Sequence, residues 1–273
     1  MNITGSPTQA TPIALTIAGS DSGGGAGIQA DLKTFAALGV FGCSAIASLT
    51  AQNTLGVQGV YPIAPDFVQA QIHSVLSDIA VGAIKTGMLA TADIIAAVAD
   101  SLSHYPQIPL VLDPVMVSTS GDRLLAADAV QTLINRLMPM ASLVTPNLHE
   151  AAVLLDTVAA TNLREMQAQG EAILALGAQA VLIKGGHANG DATDLLVTAF
   201  GTEAFSAPRL TTKNTHGTGC TLASAIAAGL AKGLRLSDAV KQAKDYLHQA
   251  LAASERLHIG NGAGPVHHFY SFY

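Results

Sequence analysis

Asn214-Thr215-His216-Gly217-Thr218-Gly219-Cys220 runs straight into Thr221-Leu222-Ala223-Ser224-Ala225-Ile226-Ala227-Ala228, a stretch that reads as helix. Two glycines just ahead of a helix let backbone N–H groups converge on an anion, and the helix N-terminus adds positive partial charge. A thiol in the first turn feels the same field, which predicts a pKa below its ordinary ~8.5. An anion cradle beside a proton acceptor is what phosphoryl transfer to a hydroxyl needs: charge stabilisation, and a base for the hydroxyl proton. Two other readings stand beside this one. The segment can be a plain turn whose Cys is a small core hydrophobe, or His216 and Cys220 can form a Cys-His nucleophile pair.

Other loops carry groups that could share a site. Gly19-Ser20-Asp21-Ser22-Gly23-Gly24-Gly25-Ala26-Gly27 follows an apolar run and opens a helix. Gly25-Ala26-Gly27-Ile28-Gln29-Ala30 fits the loose dinucleotide pattern, but no Asp or Glu lies between Leu38 and Pro65 to hold a ribose. No Gly-Lys-Ser/Thr occurs either, so there is no P-loop. Such a glycine loop can instead bring a substrate close to backbone. Asp31, in the first turn of the helix, either favours its dipole or faces the pocket. Asn147 and Glu150, in Thr145-Pro146-Asn147-Leu148-His149-Glu150, form a capping-box signature. Glu150 could also order the hydration shell of a magnesium ion, with Asp113 as a second acid. Lys184, in Lys184-Gly185-Gly186-His187, could neutralise a phosphate. Gln52 carries both a donor and an acceptor and could read the edge of a heterocycle. Met88 could pack on a flat ring or simply fill the core.

These loops must be held by a scaffold. Short apolar runs predict strands over Ile13–Ala18, Cys43–Leu49, Ala83–Thr86, Leu110–Asp113, Ser142–Thr145, Ala180–Lys184 and Asp194–Ala199. Helical patterns fall near 27–39, 66–78, 91–103, 124–138, 148–155, 163–176, 218–231 and 237–254. Alternating βαβα predicts an α/β fold, three layers αβα around a central, mostly parallel sheet. Ligands of such sheets bind at the carboxyl ends of the strands, where the suggestive residues fall. The reading is one domain over 13–273 with a flexible N-terminus over 1–12.

Composition narrows the classes of function. Of 273 residues, 49% are hydrophobic and 12% charged, which suits a sheet buried on both faces. Residues 34 to 65 lack charge but are broken by Gly39, Gly42, Gln52, Asn53, Gly56, Gln58, Gly59 and Pro62. No window supplies the ~20 predominantly apolar residues of a spanning helix, and the run Ile13 to Ala18 is too short for a signal sequence. Cys43 and Cys220 are the two cysteines, which favours a reducing compartment over a disulfide framework. A net charge of −6 without a basic cluster argues against nucleic acid.

Taken in order, the segments resemble a known family. Ala18 to Lys33, Ala51-Gln52-Asn53-Thr54, Lys85-Thr86-Gly87-Met88-Leu89, Val111-Leu112-Asp113-Pro114-Val115-Met116, Thr145 to Ala151, Lys184 to His187, 214–221 and Gly264-Pro265-Val266-His267-His268-Phe269 are similar to hydroxymethylpyrimidine/phosphomethylpyrimidine kinases of thiamin biosynthesis. The similarity covers roughly residues 13 to 270. It implies a ribokinase-like fold, ATP and Mg²⁺, and two successive phosphorylations of one pyrimidine. On that pattern Gly217, Thr218, Gly219 and Cys220 carry catalysis. Gln52, Met88, Gly19 and Asp31 bind the pyrimidine. Lys184, Asn214 and Thr215 bind ATP, and Asp113 and Glu150 manage magnesium. Many sugar kinases of the superfamily end the motif in Asp, so Cys220 favours a pyrimidine kinase. The implied setting is a cytoplasmic homodimer acting on a small molecule, with no nucleic acid or membrane partner. A pyridoxal-type kinase, a ligand-binding relative without catalysis, and a dehydrogenase are the rival expectations.

Overall fold

The computed structural model describes residues 10–116, 125, 128–185 and 191–273. Their strands form one sheet: β1 (Ile13–Asp21), β2 (Phe41–Asn53), β3 (Gly56–Pro62), β4 (Ala83–Thr86), β5 (Leu110–Leu112), β6 (Leu143–Val144), β7 (Ala180–Ile183), β8 (Ala192–Thr198) and β9 (Gly201–Ala207). The spatial order is β3-β2-β1-β4-β5-β6-β7-β8-β9. The strands from β2 through β1 and on to β7 are parallel; β3, β8 and β9 are antiparallel additions at the two edges.

Period-2 alternation explains the layers. On β1, Leu15 and Ile17 enter one core and Ala14 the other. The first core is covered by α2 (Pro65–Leu76), α3 (Ala92–Leu102), α4 (Ala129–Thr132), α5 (Leu148–Leu154) and α6 (Leu163–Leu174). The second lies beneath α1 (Gly27–Ala37), α7 (Thr218–Ala231) and α8 (Leu236–Ala252). The α/β, αβα expectation with a mostly parallel sheet is thus met.

Several boundaries differ. β1 and β2 outrun their apolar stretches, so Gln52 lies on a strand rather than in a loop, opposite Val57 beside a bulge at Ala51. A bulge re-aims the side chain next to it. β3 and β9 lacked a pattern because most of their side chains are exposed. The helix expected over 124–138 lies partly outside the described residues. Its described part is α4, a π turn over Leu133–Leu137 and a 3₁₀ turn over Met138–Met140. The expected flexible stretch 1–12 falls outside them up to residue 9, as do Gly186 and His187.

The chain leaves β1 toward β2 and β3, then returns to β4 on the other side. That reversal opens a crevice at the carboxyl ends of the strands. Among the described residues no helix is long and apolar enough to cross a membrane.

Candidate active site

A cleft of about 720 Å³ occupies that crevice. The ends of β1, β2, β4, β5 and β7 deliver Asp21, Gln52, Lys85, Asp113 and Lys184 to its wall. Two helix N-termini, those of α1 and α7, meet there. Gly217 caps α7 at φ 79, a left-handed conformation that favours glycine. A side-chain carbon there would also strike the carbonyl of Gly25. The two glycine loops therefore interlock, one over the other.

Gly217, Thr218, Gly219 and Cys220 line the cleft, so α7 offers its first-turn amides and dipole to an anion. Gly219 sits against the charged residues: a side-chain carbon there would lie 3.4 Å from Lys184 Nζ and 3.7 Å from Asp113 Oδ2. These are ordinary contacts, so a larger residue at 219 fits the fold while filling the anion's space. Gly219→Val should lower turnover about 10²-fold or more, the scale of one lost oxyanion donor, with Tm held. Normal turnover of the variant would remove the anion site from α7.

The thiol corrects one expectation. Burial pushes Cys220 up to about 11, and the nearby Asp31 and Asp113 carboxylates act the same way, against the lowering effect of Lys85 and the Gly27 backbone. The helix field does not make a resting thiolate here; desolvation wins. The Cys-His pair also fails, because His216 Nε2 is engaged 2.9 Å from Asp21 Oδ2 and 3.0 Å from the Gln52 amide.

Lys184 holds the acids. Its Nζ lies 2.9 Å from Asp113 Oδ1 and 3.6 Å from Glu150 Oε2. Burial works against the ammonium, but the two carboxylates outweigh it and hold its pKa above the ordinary lysine range. Glu150 also completes the capping box of α5, accepting from Asn147 N at 2.8 Å while Asn147 Oδ1 accepts from His149 N and Glu150 N. Burial raises the Glu150 pKa, against the pull of Lys184. A cation beside it would favour the carboxylate. Two hard oxygen donors suit Mg²⁺, which keeps several waters and needs only one or two carboxylates. The described residues hold no group of three or more acids, His or Cys that would cage a metal.

Gly19, Gln52 and Met88 line the cleft at the ends of β1, β2 and β4, toward one side of the sheet from Asp113 and Lys184 at the ends of β5 and β7. A side-chain carbon on Gly19 would come within 2.7 Å of Met88 Cε and 2.8 Å of Ser48 Oγ. Glycine therefore leaves room for Met88 to lie over the backbone. Thr215 lines the same cleft.

Asp31 and Asn214 are corrected as ligand contacts. Asp31 is fully buried on α1. Lys85 Nζ approaches its two oxygens at 3.0 and 2.9 Å, and Thr16 and Ser224 each donate to it at 2.6 Å. Asn214 is buried too, donating from Nδ2 to the Ser254 carbonyl at 2.9 Å, which ties its loop to the end of α8.

Residues 21–267 match the family described as phosphomethylpyrimidine kinase. The chain belongs to that family. It is similar to the hydroxymethylpyrimidine/phosphomethylpyrimidine kinase of Escherichia coli (strain K12), with 54% identity over 261 residues, 95% of this chain and 98% of that one. The enzyme of the same name from Rhizobium meliloti (strain 1021) is 55% identical over 264 residues, 96% of this chain and 99% of that one. Among solved structures, the ADP complex of Bacillus subtilis pyridoxal kinase superposes with a TM-score of 0.88 at 38% identity, covering 95% of this chain and 98% of that chain.

In this member of the family, three polar residues at the site carry no role in the sequence reading. Asp21 accepts from Gly23 N at 2.8 Å, Gly25 N at 2.9 Å and Ala26 N at 2.8 Å. An acid heading a run of glycine amides is a signal for that role. Lys85 is fully buried on a central strand, and a Lys inside the apolar run of β4 demands a buried acid. His216 was read only as a partner for Cys220.

Proposed function

We propose that this chain transfers phosphoryl groups from ATP to 4-amino-5-hydroxymethyl-2-methylpyrimidine, giving the monophosphate and then the diphosphate for thiamin biosynthesis. The observation that carries this reading is that one cleft is lined both by the N-terminus of α7 with Lys184 and by Gly19, Gln52 and Met88. Phosphates sit at the first group and a flat ring at the second, with the ring's hydroxymethyl group directed at Cys220.

The chain's own groups have distinct tasks. The amides of Gly217 to Cys220 stabilise charge on the transferring phosphoryl group. Thr215 and Lys184 bind the phosphates, Lys184 remaining an ammonium because Asp113 and Glu150 hold it so. Cys220 takes the hydroxyl proton. Met88 and the Gly19 backbone fix the ring and keep water from it. Asp113 and Glu150 would hold Mg²⁺ through its water shell; when bound, the ion supplies positive charge at the phosphates. The second phosphorylation uses the same anion site, with a phosphate in place of the hydroxyl.

Incubation with ATP, Mg²⁺ and the hydroxymethylpyrimidine, followed by mass spectrometry, should show one and then two added phosphoryl groups. Pyridoxal in parallel tests the other flat hydroxymethyl substrate. Phosphorylation of pyridoxal alone would overturn the assignment, and absence of any product would make the chain a binding relative.

The same reading places a homodimer of one-domain subunits in the cytoplasm. The free thiols of Cys43 and Cys220 support a reducing compartment. β3 forms a sheet edge on which Val60 and Tyr61 are exposed, with Leu55 exposed at the turn into it, a surface suited to pairing with a second copy. Light scattering measures that state.

A further inference from the structure

Gln52 has little freedom except at its amide. Its strand register is fixed by β3, and Ser22 from the glycine loop clamps its backbone: Ser22 Oγ donates to Gln52 O at 2.8 Å and accepts from Gln52 N at 2.9 Å. What stays open is which end of the amide points where. Oxygen and NH₂ have nearly the same shape, so their neighbours decide.

In the structure the amide nitrogen lies 3.0 Å from His216 Nε2 and the amide oxygen 3.3 Å from Thr50 Oγ1, and the partners of both call for the two ends exchanged. His216 Nε2 also lies 2.9 Å from Asp21 Oδ2. Burial tends to raise the Asp21 pKa, but His216 and the amides of Ala26 and Gly23 outweigh it and hold it below the ordinary value. Asp21 is therefore a carboxylate at neutral pH, an acceptor only. The ring nitrogen facing it must carry the proton, in the neutral or the charged imidazole. An N–H faces the Gln52 amide as well, and an NH₂ end there would set donor against donor. The Thr50 hydroxyl gives the same answer from the other side. Its proton goes to the Ser20 carbonyl at 2.9 Å, so toward Gln52 it can only accept.

We infer that Asp21 and His216 are positioning residues that lock the Gln52 amide with its oxygen toward His216 and its NH₂ toward Thr50. This inference rests on the reading that Gln52 contacts the pyrimidine. It adds the polarity of that contact. Each end of the amide keeps a second hydrogen-bonding position, an acceptor at the oxygen and a donor at the nitrogen. A fixed pair of this kind matches an aminopyrimidine edge, ring nitrogen plus amino group. It mismatches the 4-oxo edge, where acceptor and donor are exchanged. A free Gln could flip and take either; a locked one cannot. Glycine at 25 belongs to the device, since a side chain there would run into the His216 ring.

The test compares kcat/KM for the 4-amino substrate and its 4-oxo analogue in wild type, Gln52→Leu, His216→Ala and His216→Gln. The ratio is the readout, because a general collapse of the 216 loop lowers both substrates alike. Wild type should prefer the amino edge by about ten- to a hundred-fold, the scale of one or two buried unpaired groups. Gln52→Leu should abolish the preference. His216→Ala should abolish it too, since a water in place of the ring donates or accepts equally well. His216→Gln, which retains an N–H donor toward Asp21, should recover much of it. Preference lost in Gln52→Leu but intact in His216→Ala would overturn the lock while leaving Gln52 as the reader. Preference intact in Gln52→Leu would overturn the reading itself, and the lock with it.

Discussion

Asp31→Ala should cost about 3–5 kcal/mol of folding stability, the usual penalty for stripping one partner from a buried ion pair, and lower Tm on the order of 10 °C. The size follows from where Lys85 is left. Its side chain and that of Asp31 are both 0% exposed, so the ammonium left behind is buried without its counter-charge. Burial alone would push the ammonium toward deprotonation; Asp31 reverses this and holds the Lys85 pKa above its ordinary range. Thr16 and Ser224 lose an acceptor in the same step. Three elements come apart at one point, because Asp31 lies on α1, Thr16 on β1 and Ser224 on α7. Asp31→Asn keeps a carbonyl oxygen for the hydroxyls and should cost less. The double variant Asp31→Leu, Lys85→Met removes both charges and should lose much less than the sum of the singles. Urea unfolding of wild type, Asp31→Ala, Asp31→Asn, the double variant and its two component singles measures this, and an Asp31→Ala protein as stable as wild type would refute the assignment.

The same cluster shows which features were readable in the sequence. Apolar runs marked the central parallel strands well, since a strand buried on both faces leaves no polar alternation to confuse. The chemistry-bearing loops were legible because each joins a strand end to a helix start, and the fold gathers those ends in one cleft. The edge strands β3 and β9 were not, because exposed strands carry no core pattern. Asp31 was read as a ligand contact since its spacing after the glycine loop put it near the site. The register of β4 against β1 sets Lys85 beside Thr16, and both side chains meet Asp31 from α1. The partner of Asn214 is equally hidden from local sequence, since Ser254 is 40 positions away. A helix N-terminus does lower a thiol's pKa, but at Cys220 desolvation outweighs it, and desolvation comes from the surrounding fold and not from the motif.

That desolvation sharpens what Cys220 must do. Cys220→Ala should lower turnover about 10²–10⁴-fold, the ordinary share of a general base, with little change in substrate binding because the backbone amides remain. With the thiol pushed up to about 11, the ionised fraction at pH 7 is on the order of 10⁻⁴. A base so rarely ionised works only because its strength compensates: a thiolate of high pKa is a better proton acceptor once formed, and Lys85 stands close enough to favour it. The wild-type rate should therefore climb with pH, close to tenfold per unit, toward a plateau near 11 unless another step becomes limiting first. A carboxylate starts from an unperturbed pKa near ~4, so even raised by the same burial it is largely ionised at pH 7, and Cys220→Asp should recover part of the rate there and show no such climb above it. Solvent exchange of the thiol proton with substrate bound is not required for this outcome; the pH profiles of the three proteins between pH 5 and 10 suffice. If Cys220→Ala retains near-wild-type turnover, the thiol is a packing residue, and the proton passes to the phosphoryl oxygens directly.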